Sequence, residues 1–135
     1  MGTKNRVNLL GYLGRDPELR YTPGGNPVTT ISLATTELWN DKQSGERQER
    51  TEWHRVVFFG RLAEVAAEYL RKGAQIDIEG KLRTQKWADK DNVDRYSTSI
   101  VADELLMLGK PKDGAPEGRV SNGDEGPYID DDAPF

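Results

Sequence analysis

Apolar and polar positions alternate along most of this chain, with one stretch of helical period between two runs of alternation. Over residues 6–13, Val7, Leu9 and Leu13 fall on one side and Arg6, Asn8, Leu10 and Tyr12 on the other. The run stops at Gly14-Arg15-Asp16-Pro17, which predicts a strand followed by a turn. A second loop, Thr22-Pro23-Gly24-Gly25-Asn26-Pro27, leads into residues 28–37, rich in Thr, Ile and Val, with Trp39 at the end of that strand. Residues 40–50 are polar with Gly45 in the middle and predict a hairpin loop. A third strand over 51–59 puts Trp53, Arg55 and Phe59 on one side and His54, Val56 and Phe58 on the other. Leu62, Val65, Ala66, Tyr69 and Leu70 then recur at helical spacing. They predict a helix over 61–72 whose apolar stripe is core, with Arg71 and Lys72 at the negative end of its dipole and Gly73 as its C′ cap. Alternation returns over 75–87, with Ile76, Ile78 and Leu82 facing the core and Lys81, Arg83, Gln85 and Trp87 facing out. After a loop over 88–94, a last strand covers 95–102 and extends towards 108. There is no internal repeat.

Three strands, one helix and two strands predict an all-β domain with a single helix, in the order of the five-stranded Greek-key barrel called the OB fold. In that fold the face of strands 2–3 and the adjoining loops bind single strands. From Lys110 onward Gly, Pro, Ser and charged residues dominate, and Val120, Tyr128, Ile129 and Phe135 are the only large apolar side chains. Such a segment buries too little to offset the entropy of ordering it. The expected organisation is a domain over 1–109, a flexible linker over 110–129 and an acidic tip over 130–135.

The net charge of −4 argues against a nucleic-acid partner only until it is divided along the chain. Residues 1–109 hold 16 basic and 16 acidic side chains, and residues 110–135 hold 3 and 7, so the whole excess lies in the tail. Where charge sits on the fold decides binding, not the sum. With 135 residues and no cysteine, the chain has room for one core and offers no disulfide, thiolate metal site or thiol nucleophile. No apolar run approaches the roughly 20 residues that span a bilayer, and the first residues lack the apolar stretch of a signal peptide. A soluble, unexported protein without membrane contact is expected.

The candidate chemistry is stacking. Trp39, Trp53, Phe59 and Trp87 lie in segments that also carry Arg55 and Lys86, and an aromatic ring on an open sheet stacks on any base, at about 1–3 kcal/mol each. Taken singly, each ring reads equally well as core packing, and each basic residue as solvated surface. His54, the only histidine, has no polar partner spaced for catalysis or metal binding and reads as structural.

These segments resemble bacterial single-stranded DNA-binding proteins. The likeness runs through Gly11-Tyr12-Leu13-Gly14-Arg15-Asp16-Pro17-Glu18-Leu19-Arg20-Tyr21, Thr51-Glu52-Trp53-His54-Arg55-Val56-Val57, the helix from Leu62 to Gly73, and Ile78-Glu79-Gly80-Lys81-Leu82-Arg83-Thr84. A second signature is the terminal Asp130-Asp131-Asp132-Ala133-Pro134-Phe135, similar to the family's acidic tip ending in Pro-Phe. The resemblance implies base stacking by Trp39, Trp53, Phe59 and Trp87. It implies phosphate contacts from Arg20, Lys42, Arg55, Arg61, Lys72, Arg83, Lys86 and Arg95, and subunit contacts around His54, Gln75 and Asp77 in a homotetramer. Protonation of His54 near neutral pH would then bias assembly. The implied role is coating single-stranded DNA in the bacterial cytoplasm, at the nucleoid, during replication, recombination and repair. No cofactor or metal is implied, and no catalysis. The tip would recruit helicases, nucleases and polymerase-loader subunits, its ring and terminal carboxylate suiting an apolar hole ringed by Arg or Lys.

Three features depart from the family pattern. Gln85 stands where relatives often carry a further base, Asp77 and Glu79 make one outer face acidic where relatives pack dimers together, and Ala133 replaces a larger aliphatic residue in the tip. Two rival readings are a small nuclease using Asp89, Asp91 and Asp94 to hold a metal, and an adaptor that binds RNA or a primosome protein without coating a strand.

Overall fold

The computed structural model describes residues 2–109 and 114–122. The tip from Asp130 to Phe135 lies outside the described residues. Seven strands and one helix follow in the order β1 (Val7–Leu13), β2 (Glu18–Tyr21), β3 (Pro27–Asn40), β4 (Arg47–Phe59), α1 (Gly60–Tyr69), β5 (Gln75–Ala88), β6 (Asp94–Met107) and β7 (Arg119–Ser121). The predicted strands correspond to β1, β3, β4, β5 and β6. They form a closed barrel in which neighbours run β1-β5-β6-β4-β3 and β1 returns to pair with β3. β2 adds to the edge of β3, and β7 to β6.

Closure depends on β1 serving two partners. Residues from Val7 to Tyr12 pair antiparallel with β5, and Tyr12 and Leu13 also pair with Ala34 and Leu33 of β3. Gly11 stands at the changeover, where an added Cβ would lie 2.2 Å from the carbonyl oxygen of Ala34. Gly80 does the same for the β5–β6 ladder, whose register shifts there, since a Cβ would meet the carbonyl oxygen of Val101 at 2.2 Å.

Inside the barrel, Leu13, Ile31, Leu33, Val56, Phe58, Ile76, Ile78, Ile100 and Leu105 pack with Leu62, Ala63, Val65 and Ala66 of α1. The helical stripe is therefore core, as its period predicts. α1 ends earlier than expected, with Leu70 as C-cap and Arg71 donating to the carbonyls of Ala67 and Leu70 at 3.0 and 2.6 Å. Gly73, φ +89°, belongs to the following turn, where its amide bonds the Leu13 carbonyl at 2.8 Å. It is not the helix cap. Both hairpins outgrow the barrel. β3 and β4 pair as far as Asn40 and Arg47, so the loop expected over 40–50 shrinks to 41–46. Leu82, expected in the core, is half exposed because β5 has left the barrel there.

The linker expectation fails for residues 114–122. Val120 pairs with Leu105 and is 6 % exposed within the main core. The Tyr69 hydroxyl donates to the Gly114 carbonyl at 2.9 Å. Asn122 Oδ1 accepts from the Leu62 amide at 3.0 Å, supplying the cap that Phe59, at the N-cap position, lacks. One buried Val and one polar cap were too sparse a signal to mark an ordered segment within a Gly- and Pro-rich run. Asn122→Ala is expected to cost about 1 kcal/mol. A chain stopped after Gly109 should lose roughly 2–4 kcal/mol by removing the Val120 burial as well. Urea unfolding of the three proteins checks both values.

Candidate nucleic-acid interface

The pairing registers sort the outward side chains into faces. In the β3–β4 ladder Ala34 stands opposite Trp53, Ser32 opposite Arg55, and Val28 opposite Phe59, so Trp53, Arg55, Val57 and Phe59 lie on the outside of the barrel. β4 also pairs parallel with β6, Val57 beside Val101. This carries the same outer face across to Ser99 and its partner Arg83, and on to Trp87 opposite Arg95. Trp53, Arg55, Arg83, Arg95 and Trp87 thus flank one continuous surface.

All three tryptophans are open, between 46 and 60 % exposed, so none of them is a core residue. Phe59 is a correction. It is 1 % exposed and packs with Val28, Val57 and Val101 in a second apolar cluster. Alternation puts it on the same side as Trp53, but β3 and β6 bring Val28 and Val101 against it, so its ring forms the floor of the surface and has no open π-face.

The strongest local feature is a hollow of about 410 Å³ lined by Arg15, Glu18, Arg20, Ser32, Trp53 and Arg55, among others. Arg55 Nε is buried there without a hydrogen-bond partner among the described residues. Burial lowers the pKa of the Arg55 guanidinium, Arg15 and Arg20 lower it further, and Glu18 opposes them. Glu18 also binds Arg20 through both Nε and Nη2. Three arginines beside an open indole are arranged to accept an anion adjoining a flat ring. Arg15 escaped the sequence reading because its turn was read for its glycine and proline. The base following Gly14 was the available signal.

Other expected residues are distributed less simply. Trp39, opposite Gln48, lies on the other side of the β3–β4 ladder from Trp53. Lys86, opposite Tyr96, likewise lies on the other side of the β5–β6 ladder from Trp87 and pairs with Asp94 at 3.2 Å. Tyr96, highly exposed and next to Lys86, was also missed, although Arg95-Tyr96 repeats the base-aromatic pattern in the sequence. Lys42 sits in the exposed β3–β4 loop and Arg61 in the first turn of α1. The Lys72 amide donates to Asp16 Oδ1 at 2.8 Å, beside Arg15. Lys72 lines a separate hollow with Tyr12, Tyr69 and Gln75 beyond the end of α1.

His54 is part-buried, its Nε2 2.8 Å from Thr35 Oγ1. The acidic face of β5 is not a bare like-charge surface. Arg6 pairs with Glu79 at 3.2 Å and Asp103 at 3.1 Å, while Arg119 of β7 reaches Asp77 at 3.4 Å and Glu104 at 3.8 Å. Glu79 and Glu104, directly opposite each other, hydrogen-bond side chain to side chain, which pushes Glu79 down and Glu104 up in pKa.

Two of the three carboxylates of the nuclease reading, those of Asp89 and Asp94, are structurally engaged. Asp89 Oδ1 accepts the amides of Asp91 and Val93, and its Oδ2 binds Arg95 at 3.0 Å. Asp94 holds Lys86, and no group of three or more potential metal ligands gathers among the described residues.

Residues 4–108 match the model of the Single-strand binding protein family. The chain belongs to that family. It is 49 % identical over 132 residues, 98 % of this chain and 97 % of the other, to Single-stranded DNA-binding protein 1 of Xylella fastidiosa (strain 9a5c). Its fold is similar to the Plasmodium falciparum SSB complex with ssDNA, at TM-score 0.71 and 32 % identity, covering 81 % of this chain and 98 % of that one. It is also similar to a deletion mutant of the single-stranded DNA binding protein from Thermus aquaticus, at TM-score 0.69 and 33 % identity, covering 78 % and 51 %. Proteins of the Single-strand binding family bind DNA and are not enzymes.

Asp89 gives the β5–β6 hairpin a pH dependence. The amide of Val93 above all, then Arg95 and the amide of Asp91, hold its pKa below the ordinary carboxylate value. A depressed acid adds stability in full above its unfolded pKa of about 3.9 and loses it as pH falls through the folded value. With Trp39 and Trp53 replaced by Phe, Trp87 fluorescence anisotropy should therefore hold steady down to about pH 4 and fall below it. Asp89→Asn should lower it at neutral pH.

Proposed function

We propose that this protein coats single-stranded DNA, without sequence preference and without chemistry, during replication, recombination and repair. The observation that carries this reading is Trp53, open to solvent beside the part-buried Arg55, whose Nε is enclosed, and lining one hollow with Arg15 and Arg20. The indole takes a base by its face, which carries no sequence code, and the arginines take the adjoining phosphate. Trp87 with Arg83 and Arg95 repeats the arrangement across the barrel. Trp39 and Lys86, on the reverse sides of their hairpins, offer contacts to a strand that passes around the projecting ladders. The family's relatives named above carry single-stranded DNA binding in their names, which supports the same reading.

Assembly as a homotetramer fits the protein's outer faces. Arg6 and Arg119 offset half the charge of the four carboxylates Asp77, Glu79, Asp103 and Glu104, so a second copy meeting that face would find ion pairs as well as acid. The acidic tip is assigned the recruitment of helicases, nucleases and polymerase-loader subunits to the coated strand, and the working compartment is the cytoplasm at the nucleoid. Among the described residues no helix is long and apolar enough to cross a membrane.

Titration with oligo(dT) should quench tryptophan fluorescence strongly at a fixed stoichiometry, with affinity falling steeply as salt rises. Little quenching would return the tryptophans to a structural role. Arg15→Ala should flatten the slope of log K against log salt by about 0.7, as expected for one lost phosphate contact on a single strand. Light scattering should give the mass of four chains. Deleting residues 130–135 should leave that mass unchanged and tighten DNA binding at low salt, because the acidic tip competes with phosphate for the basic surface.

A further inference from the structure

Trp53 is supported at the edge of its ring as well as open to solvent. A Cβ built on Gly14 would lie 2.2 Å from Trp53 Cζ3, 2.6 Å from Cη2 and 3.4 Å from Cε3, all atoms of the six-membered ring of the indole. The ring therefore lies against the bare Cα of Gly14, closer than any other residue would permit. Gly14 is not among the glycines with positive φ, so its backbone does not itself demand glycine. Its amide donates to the Ser32 carbonyl at 3.0 Å, and the preceding Leu13 amide to the Ala74 carbonyl at 2.9 Å, so the backing belongs to the rigid barrel. Trp53 itself stays 60 % exposed.

We propose that Gly14 is a positioning residue for base stacking, a backstop that meets the Cζ3 edge of the Trp53 indole and holds the ring against the barrel, next to Arg15. The proposal rests on the single-strand-binding reading. An exposed indole without such a support samples several rotamers and loses that freedom when a base stacks on it. One held in place has already lost it. Adding a methyl at residue 14 would push the ring at least about 1 Å outward to restore a normal carbon–carbon contact of about 3.5–4.0 Å. The ring has open solvent to move into, so the fold should survive the change while the platform loosens.

The test is a double-mutant cycle on oligo(dT) affinity with Gly14→Ala and Trp53→Ala. Gly14→Ala alone should weaken binding about fivefold and keep the wild-type Tm, whereas in the Trp53→Ala background it should change affinity by less than about twofold. A wild-type affinity for Gly14→Ala, or the same loss with and without Trp53, would overturn the proposal. In a protein whose other two tryptophans are Phe, Gly14→Ala should also raise quenching of Trp53 by acrylamide before DNA is added, and an unchanged quenching constant would count against it. If Gly14→Ala lowers Tm, Gly14→Ala with Trp53→Phe decides the matter. The smaller ring clears the methyl, so stability and binding should match those of Trp53→Phe alone, and a persistent deficit would make Gly14 merely structural. A wild-type protein that fails to bind oligo(dT) would refute the binding reading itself, an outcome the cycle reports separately.

Discussion

The sharing of β1 between β5 and β3 is the constraint on which the rest of the molecule depends. Without the Tyr12–Ala34 and Leu13–Leu33 pairs the sheet would stay open, and inner and outer faces would lose their meaning. Closure sends Ile31, Leu33, Val56, Phe58, Ile76 and Ile78 inward and commits Trp53, Arg55, Arg83 and Trp87 to the outside. Backbone must come unusually close for this, and Gly11 and Gly80 are the points where a side chain would prevent it.

On the outside the floor and the walls have different tasks. Val28, Val57, Phe59 and Val101 form a dry patch that fixes the spacing of β3, β4 and β6. Around it stand groups that are poorly served in the free protein: Arg55 Nε lacks a partner among the described residues, and Arg15 and Arg20 crowd the same hollow. Arg55 is part-buried, and of the three arginines only Arg20 has an ion pair among the described residues, with Glu18.

The segment over 114–122 shows how a few contacts fasten a composition that otherwise resembles a linker. Val120 enters the core, Asn122 caps α1 from 60 residues away, and Arg119 closes ion pairs with Asp77 and Glu104. Each contact is modest, yet together they tie the exit of the chain to the barrel and cover the β6 edge from Glu104 to Leu106. The folded body therefore extends beyond the family match, which ends at residue 108.

Periodicity alone determined five barrel strands, the helix and its buried stripe, because alternation and helical spacing are local properties of apolar burial. The aromatic and basic motifs likewise determined the class of ligand. Tertiary structure decided what depends on partners distant in sequence. Phe59 became floor because Val28 and Val101 meet it, Trp39 and Trp53 separated because a ladder has two sides, and Arg15 joined Arg20 and Arg55 because β2 folds onto β3. Alternation assigns each residue to a side of its strand, but pairing register and closure decide whether that side is open, covered or turned towards another element. Four-residue β2 and three-residue β7 were too short to show a period, and their pairing with β3 and β6 exists only in the folded barrel.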